Sequence, residues 1–248
     1  MKSYKILPIW RIERLKGGYF VLWIEDTELA AQCRPGQFCE LNSPQGIPRL
    51  FKPISVFDVI QDRVAFFIKT VGAGTNALSV MREGDLLQVI GPLGTSFPIP
   101  NNKSIVLVSG GVGYPPLAFL KKHLPSSNQV RFLHGGACAD DVFPCDECFT
   151  VDGSAGIKAF VTEGFMRLIE TRHVDLVLSC GPVPMLKALS AICKANGIKH
   201  FASLEAYMAC GVGVCHGCAV GVGSKGDYQR VCVEGPVFDA DDLNWELM

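Results

Sequence analysis

No stretch of this chain approaches the ~20 consecutive apolar residues needed to cross a bilayer. The opening residues, MKSYKILPIW, lack the long apolar run and small-residue cleavage site of a secretory signal. Basic excess is missing too. The 23 Lys and Arg stand against 24 Asp and Glu, leaving a net charge of -1, so a nucleic-acid surface is not expected. Histidine is scarce: the five are scattered, and no constellation demands a side-chain general acid or base, so no catalytic residue is assigned. No internal repeat or low-complexity segment is found. A cytoplasmic globular protein is the expectation. With 248 residues, 48% of them hydrophobic, the chain can bury one large core or two to three small ones.

Cysteine, by contrast, is abundant. Eleven residues in a reducing compartment do not make a disulfide framework, so metal ligation or redox chemistry is the better use for some of them. Four follow the pattern Cys210-x4-Cys215-x2-Cys218-x13-Cys232 within a glycine-rich stretch. Structural zinc favours two short paired loops, whereas three close ligands and a distant fourth match the plant-type [2Fe–2S] spacing. Gly211, Gly213 and Gly217 would let the backbone wrap a cluster and aim amides at its sulfurs. Zinc, or reduced thiols buried as small hydrophobes, are the competing uses. His216 is a bystander, because a Rieske centre needs two histidines. Cys145-x2-Cys148, with Cys138 nearby, lacks a second pair, and free thiols are the default there. Cys33, Cys39, Cys180 and Cys193 sit in apolar segments and are expected in the core.

Residues 1–100 read as short strands at close spacing: Tyr19–Glu25, Gln37–Asn42, Pro53–Ile60 and Val64–Thr70, with one helical stretch, Thr75–Met81. Such a pattern predicts a small antiparallel barrel or sandwich. Residues 101–202 alternate strand and helix, with strands expected at Ser104–Ser109, Val130–His134, Val174–Ser179 and His200–Ser203 and a helix at Pro184–Asn196, which predicts a parallel α/β sheet. Residues 203–248 form a tail with little periodicity, in need of something other than an apolar core.

Two loops at strand ends look built for phosphate. Gly110, Gly111, Val112, Gly113, Tyr114 and Pro115 join an apolar strand to a helix start, where close approach and free amides favour a pyrophosphate. Cys180, Gly181, Pro182 and Met185 repeat the design after a later strand. No lysine or arginine occurs between Phe132 and Ile157, while Asp140, Asp141, Asp146, Glu147 and Asp152 do, which favours NAD over NADP. In the first domain, Arg49–Ser55 and Gly72–Thr75 would make a second nucleotide site; each is also ordinary turn chemistry.

The order of β-rich domain, Gly110–Pro116 (GGVGYPP), Cys180–Met185 (CGPVPM), Ser203–Cys218 (SLEAYMACGVGVCHGC) and Arg230–Phe238 (RVCVEGPVF) resembles one family over essentially the whole chain. That family is the electron-transfer subunits of NAD-dependent (type 1B) dihydroorotate dehydrogenase, within the ferredoxin-reductase superfamily. The resemblance implies an N-terminal flavin-binding β-barrel, a parallel α/β nucleotide-binding domain and a small C-terminal [2Fe–2S] domain. It implies FAD on Lys52, Pro53, Ile54, Ser55, Phe67, Ile68, Lys69, Gly74 and Thr75, NAD on the two glycine loops, and the cluster on Cys210, Cys215, Cys218 and Cys232. Electrons would pass from FMN on a catalytic partner through [2Fe–2S] and FAD to NAD+, in pyrimidine biosynthesis, within a heterotetramer of two subunits of each kind. Dihydroorotate itself would be oxidised on the partner. Arginine usually stands where Lys52 does, so a bidentate phosphate grip becomes a point charge. SLEAYM replaces the family's frequent SLEERM. Two rivals remain open: a related subunit of a sulfide dehydrogenase or ferredoxin:NADP oxidoreductase, and a non-catalytic metal-binding scaffold, which would lack flavin.

Overall fold

The computed structural model describes residues 3–44, 50–223 and 226–248. The first part is a closed antiparallel barrel. Its elements are β1 (Ser3–Arg14), β2 (Tyr19–Glu25), α1 (Thr27–Gln32), β3 (Phe38–Asn42), β4 (Lys52–Ile60), β5 (Arg63–Lys69), α2 (Ala73–Ser79) and β6 (Leu86–Leu93). The strands close in the order β1-β2-β5-β4-β3-β6. In β6, LLQVIGPL, burial alternates residue by residue, as a strand with one face on a core must. The inward faces gather Phe20, Leu22, Ile24, Leu41, Val56, Phe66 and Leu87 into a single core.

Two elements depart from expectation. β1 pairs with both β2 and β6 and seals the barrel, yet its mixed polar sequence did not read as a strand. The helix at Ala73–Ser79 is joined by a second, α1, which the sequence reading missed. Asp26 starts α1 by accepting the Leu29 amide at 2.7 Å, a cap worth about 1 kcal/mol. The same carboxylate receives Lys5 of β1 at 2.7 Å, so the cap also ties the helix to the barrel.

The second part begins with β7 (Ser104–Gly110), α3 (Tyr114–His123), β8 (Gln129–Gly136), β9 (Glu147–Thr150) and β10 (Ile157–Lys158). It continues with α4 (Val161–Thr171), β11 (Leu176–Cys180), α5 (Val183–Ala195) and β12 (Lys199–Ser203). All of β7 beyond Ser104 is buried, as suits a strand covered on both faces. The chain builds outward from β7 through β8 to β10, then crosses to β11 on the other side. The reversal puts a topological switch point between β7 and β11, where open parallel sheets bind ligands.

The tail is more ordered than its sequence suggested. β13 (Ala219–Val222) and β14 (Asp227–Arg230) form a hairpin, and β15 (Val237–Asp239) adds antiparallel to β12 as the last strand of the large sheet. These strands span only three or four residues, too few for a periodicity to show. Cys218, Val222, Val231, Cys232 and Phe238 pack with Phe38 and Leu93 of the barrel and Leu186 of α5. All three parts of the chain therefore meet in one apolar cluster. Among the described residues, no helix is long and apolar enough to cross a membrane.

Candidate functional site

The two glycine loops lie side by side because β7 and β11 pair in parallel, with Ser109 opposite Cys180. A Cβ on Gly113 would stand 2.1 Å from the Cys180 carbonyl oxygen, and one on Gly110 would stand 2.7 Å from the Met185 sulfur. Only bare backbone allows this approach. Pro115 and Pro116, in the first turn of α3, carry no amide hydrogen, and the Tyr114 amide donates to the Gly111 carbonyl, so backbone donors for an anion have to come from the glycine loop itself. Gly110, Gly111, Val112, Pro182 and Met185 line a cleft of about 630 Å3 with Gly135, Gly136 and Val161. The cradle suits a nucleotide. Tyr114 turns away from it: the ring stacks on Phe132 at 5.5 Å, and the hydroxyl donates to the Pro144 carbonyl at 3.0 Å. Gly113 and Gly181 lie beneath the loops, while Pro115 and Cys180 face a second cleft.

That second cleft, about 240 Å3, runs along β4 and β5 and is lined by Lys52, Pro53, Ile54, Ser55, Phe67, Ile68, Lys69 and Thr75. Of the expected flavin residues only Gly74 is not on its wall; the Lys52 stem lies across it, leaving no room for a side chain. Lys52 donates to the Leu50 carbonyl at 2.9 Å and has no ion pair among the described residues. A cation without a carboxylate, beside the Ser55 and Thr75 hydroxyls, fits a phosphate-bearing cofactor. Arg49 lies outside the described residues. Lys69, Val71 and Val112 line both clefts, which therefore share a wall.

The tail closes the far side. Leu204, Glu205 and Met208 line the barrel cleft, and the cysteine loop follows directly. Gly211 and Gly213 take φ of +62° and +86°, and His216 takes +56°, so the loop curls tightly. The Cys215 amide donates to the Cys210 sulfur at 3.4 Å, and the Gly217 amide donates to the Cys215 sulfur at 3.4 Å. Cys218 and Cys232 are buried with their sulfurs 3.3 Å apart. Arg230 clamps the loop, donating to the Gly213 carbonyl at 2.8 Å while paired with Glu234. Burial opposes ionisation of Cys210, but the amides of Cys215, Val212 and Val214 outweigh it and bring the thiol down to about 6. Burial and the adjacent Cys218 push Cys232 upward. Among the described residues, no three His, Cys, Asp or Glu side chains converge as ligands of one ion do. The softness of the four thiols and the amides directed at Cys210 and Cys215 suit an iron–sulfur cluster, whose binding would draw off the remaining protons.

Three features were not visible in sequence. Glu40, in β3, is buried with both carboxylate oxygens unpartnered, and burial pushes it up to about 7 although Lys52 opposes the shift. It backs the cysteine loop: a Cβ on Gly211 would stand 2.6 Å from its Cγ. Cys145, beside Cys148, is pushed up to about 11 by burial, which keeps it a protonated thiol. Finally, the cation-free segment 132–157 is not cation-free in space. Lys69 pairs with Asp141 at 2.6 Å, Lys121 pairs with Asp146 at 3.0 Å, and Lys16 donates to the Ala139 carbonyl at 2.9 Å. Asp141 and Asp146 are therefore committed to lysines and are not free ribose acceptors.

A family model described as the iron-sulfur cluster binding domain of dihydroorotate dehydrogenase B matches residues 205–244, which contain all four thiols. The chain is 39% identical over 227 residues to the dihydroorotate dehydrogenase B (NAD(+)) electron transfer subunit of Bacillus velezensis, covering 84% of this chain and 86% of the relative. The subunit of the same name from Clostridium acetobutylicum is 32% identical over 250 residues, 98% of each chain. Among solved structures, a chain of an NADH-dependent reduced ferredoxin-NADP oxidoreductase superposes with a TM-score of 0.87 at 30% identity, covering 97% of this chain and 91% of that one. Phthalate dioxygenase reductase shares the fold, with a TM-score of 0.64 at 16% identity over 93% of this chain and 94% of that one.

Proposed function

The chain belongs to the family of dihydroorotate dehydrogenase B (NAD(+)) electron transfer subunits, and from that membership we propose that it delivers electrons from a dihydroorotate-oxidising partner to NAD+. The observation that carries this reading is contiguity: Leu204, Glu205 and Met208, which lead into the thiol loop, line the barrel cleft, and the barrel cleft shares a wall with the glycine-loop cleft. FAD supplies the exchange between electron pairs and single electrons, and [2Fe–2S] supplies the one-electron relay.

The chain's own residues bind, orient and exclude water. Lys52 offers its charge to the flavin diphosphate, with Ser55 and Thr75 beside it and the walls of β4 and β5 along its length. Gly110, Gly111 and Val112 receive the pyrophosphate of NAD, and Pro182 and Met185 close the opposite side. Cys210, Cys215, Cys218 and Cys232 hold the cluster, and Arg230 fixes the loop that carries three of them. Val71 and Val112 line both clefts and Phe67 lines the barrel cleft, which gives the crossing between them an apolar wall. We assign residues 1–100 to flavin, 101–202 to NAD and 203–248 to the cluster. The partner is the FMN-bearing catalytic subunit, in a heterotetramer with two of each, serving pyrimidine biosynthesis in the cytoplasm. Eleven free cysteines support that compartment.

The test is an anaerobic visible spectrum with iron, sulfide and flavin assays, followed by mixing with the catalytic subunit. Flavin and cluster absorption bleached by NADH, and NAD+ reduction dependent on both dihydroorotate and partner, are expected. Zinc without flavin would overturn the reading. A second reading, a ferredoxin-linked subunit, is favoured by the solved chain at 30% identity. Ferredoxin-dependent turnover with no response to dihydroorotate would select it.

A further inference from the structure

Tyr19 and Lys69 are direct cross-strand neighbours at the end of β2 and β5. Both reach out of the barrel to one oxygen of Asp141: the Tyr19 hydroxyl donates at 2.7 Å and the Lys69 ammonium at 2.6 Å. Asp141 belongs to the other half of the molecule, in the turn after β8, and its second oxygen accepts the Ala137 amide at 3.3 Å. The connection continues inward. The Asp141 carbonyl accepts from His134 Nε2 at 2.7 Å, which leaves Nδ1 as the acceptor for the Ser109 hydroxyl at 2.7 Å. Ser109 immediately precedes Gly110 of the nucleotide loop, and Ser109 and His134 are fully buried. A continuous polar chain thus runs from the barrel wall to the glycine loop, starting from Lys69, which lines both clefts, and from Tyr19 and Asp141, which line the glycine-loop cleft. Phe143 packs against it, 4.9 Å from the rings of both Tyr19 and Phe67.

We propose that Asp141 is a positioning residue that locks the nucleotide loop to the flavin cleft, through Tyr19 and Lys69 on one side and His134 and Ser109 on the other. A hydride crosses between two rings only when they meet at the right distance, and each ring belongs to a different half of this chain. Asp141 sets that meeting from the wall of the glycine-loop cleft, through its hydrogen bonds to Tyr19, Lys69 and His134. Desolvation resists its ionisation, but Lys69 and Tyr19 overcome it and hold the carboxyl below the usual range, while burial keeps His134 neutral. The chain of donors and acceptors is therefore complete at working pH. The inference rests on the proposed flavin-to-NAD reading and deepens it.

The variants are Tyr19→Phe, which keeps the ring packing and deletes one donor, Asp141→Asn, and Ser109→Ala at the far end. In the full chain loaded with its cofactors, NADH reduction of flavin is followed by stopped flow across NADH concentrations. Each variant should retain flavin and iron and bind NADH within ~3-fold of wild type, while the limiting rate falls ~10- to 100-fold. Hydrogen exchange is measured on the same chain with and without flavin. Residues 110–113 and 136–142 should exchange faster in Asp141→Asn and Tyr19→Phe, and β11 should not. Unchanged rates and unchanged exchange would overturn the lock. A rate loss matched by flavin loss or by weakened NADH binding would also overturn it, since Asp141 would then be merely structural. Failure of wild type to react with NADH would refute the functional reading instead, and hydrogen exchange would still decide the lock. If Asp141→Asn does not fold, Tyr19→Phe alone carries the test.

Discussion

Replacing Gly113 with alanine adds one methyl group where two loops press together. The backbone is not the obstacle, because φ of -74° and ψ of -2° are ordinary for alanine. Space is. The new Cβ would lie 2.1 Å from the Cys180 carbonyl oxygen, 2.4 Å from its carbon and 2.6 Å from the Gly181 amide nitrogen. Carbon atoms in contact prefer ~3.5–4.0 Å, so the loops must part by more than about 1 Å, and no flexible side chain is there to yield. Overpacking of this kind costs about 1–3 kcal/mol of stability. A ~1 Å displacement at a reacting site costs on the order of 100-fold in rate, because both clefts take their shape from these loops. Gly197→Ala is the control: φ is +66°, nothing lies within 4 Å of the added atom, and the residue lines neither cleft, so it should cost strain and leave the loops in contact. Urea denaturation and stopped-flow reduction by NADH read the two effects. The steric account is refuted if Gly113→Ala matches wild type in both, or if Gly197→Ala slows the reaction as much.

His200 is buried with Nδ1 unpartnered, and burial lowers it to about 4 from an ordinary 6.5, the carboxylate of Asp239 opposing. The unfolded chain takes a proton that the folded one refuses, so stability should fall by about 3 kcal/mol as pH drops from 6.5 to 4. Urea midpoints against pH should show this slope flattened in His200→Gln; an unchanged slope would assign it to another group. Cys232→Ser should abolish iron and sulfide content while flavin stays bound, because no flavin-cleft wall includes that residue. Cys145→Ser and Cys148→Ser should leave metal content and reaction with NADH unchanged, and a loss of iron would place a ligand there. Lys52→Met should weaken flavin retention about tenfold or more, read by dialysis and fluorescence, as deletion of a charge-assisted phosphate contact does.

What could be read in the sequence was local. The cysteine spacing is legible because three ligands lie on one loop, so nine consecutive residues, 210–218, contain most of the site. The glycine loops announce themselves where an apolar strand meets a proline-led helix, which again takes about a dozen residues. The barrel strands β2, β4 and β5 and the inner strands of the sheet showed through alternation or continuous burial. β1 did not, since its exposed positions mix Tyr, Ile, Pro, Trp and Arg and its role depends on partners that close the barrel. Nor did β13, β14 and β15, whose short runs gain their order by packing on the barrel and α5.

The contacts that join these local pieces were invisible for the same reason. Tyr19 and Asp141 are 122 residues apart, and Lys69 and Asp141 are 72 apart, so no window of sequence contains the lock. Glu40 looked like any acid in a short strand, and only the turn at Gly211, far along the chain, makes it the backing of a metal-binding loop. The cation-free segment 132–157 shows how this misleads. A composition argument assumes that the charges near a residue in sequence are those near it in space. Here Lys16, Lys69 and Lys121 arrive from three other elements and neutralise the segment that seemed bare. Coulomb energy falls with distance through space, not along the chain, so selectivity for a nucleotide phosphate is set by whichever lysine folding leaves uncommitted. Of those three, Lys69 and Lys121 are held in close ion pairs, and Lys16 spends its donor on a backbone carbonyl at 2.9 Å, with Asp140 looser at 3.7 Å. A 2′-phosphate would therefore have to break an existing contact to recruit any of them, which favours the unphosphorylated nucleotide on grounds that only the folded chain supplies.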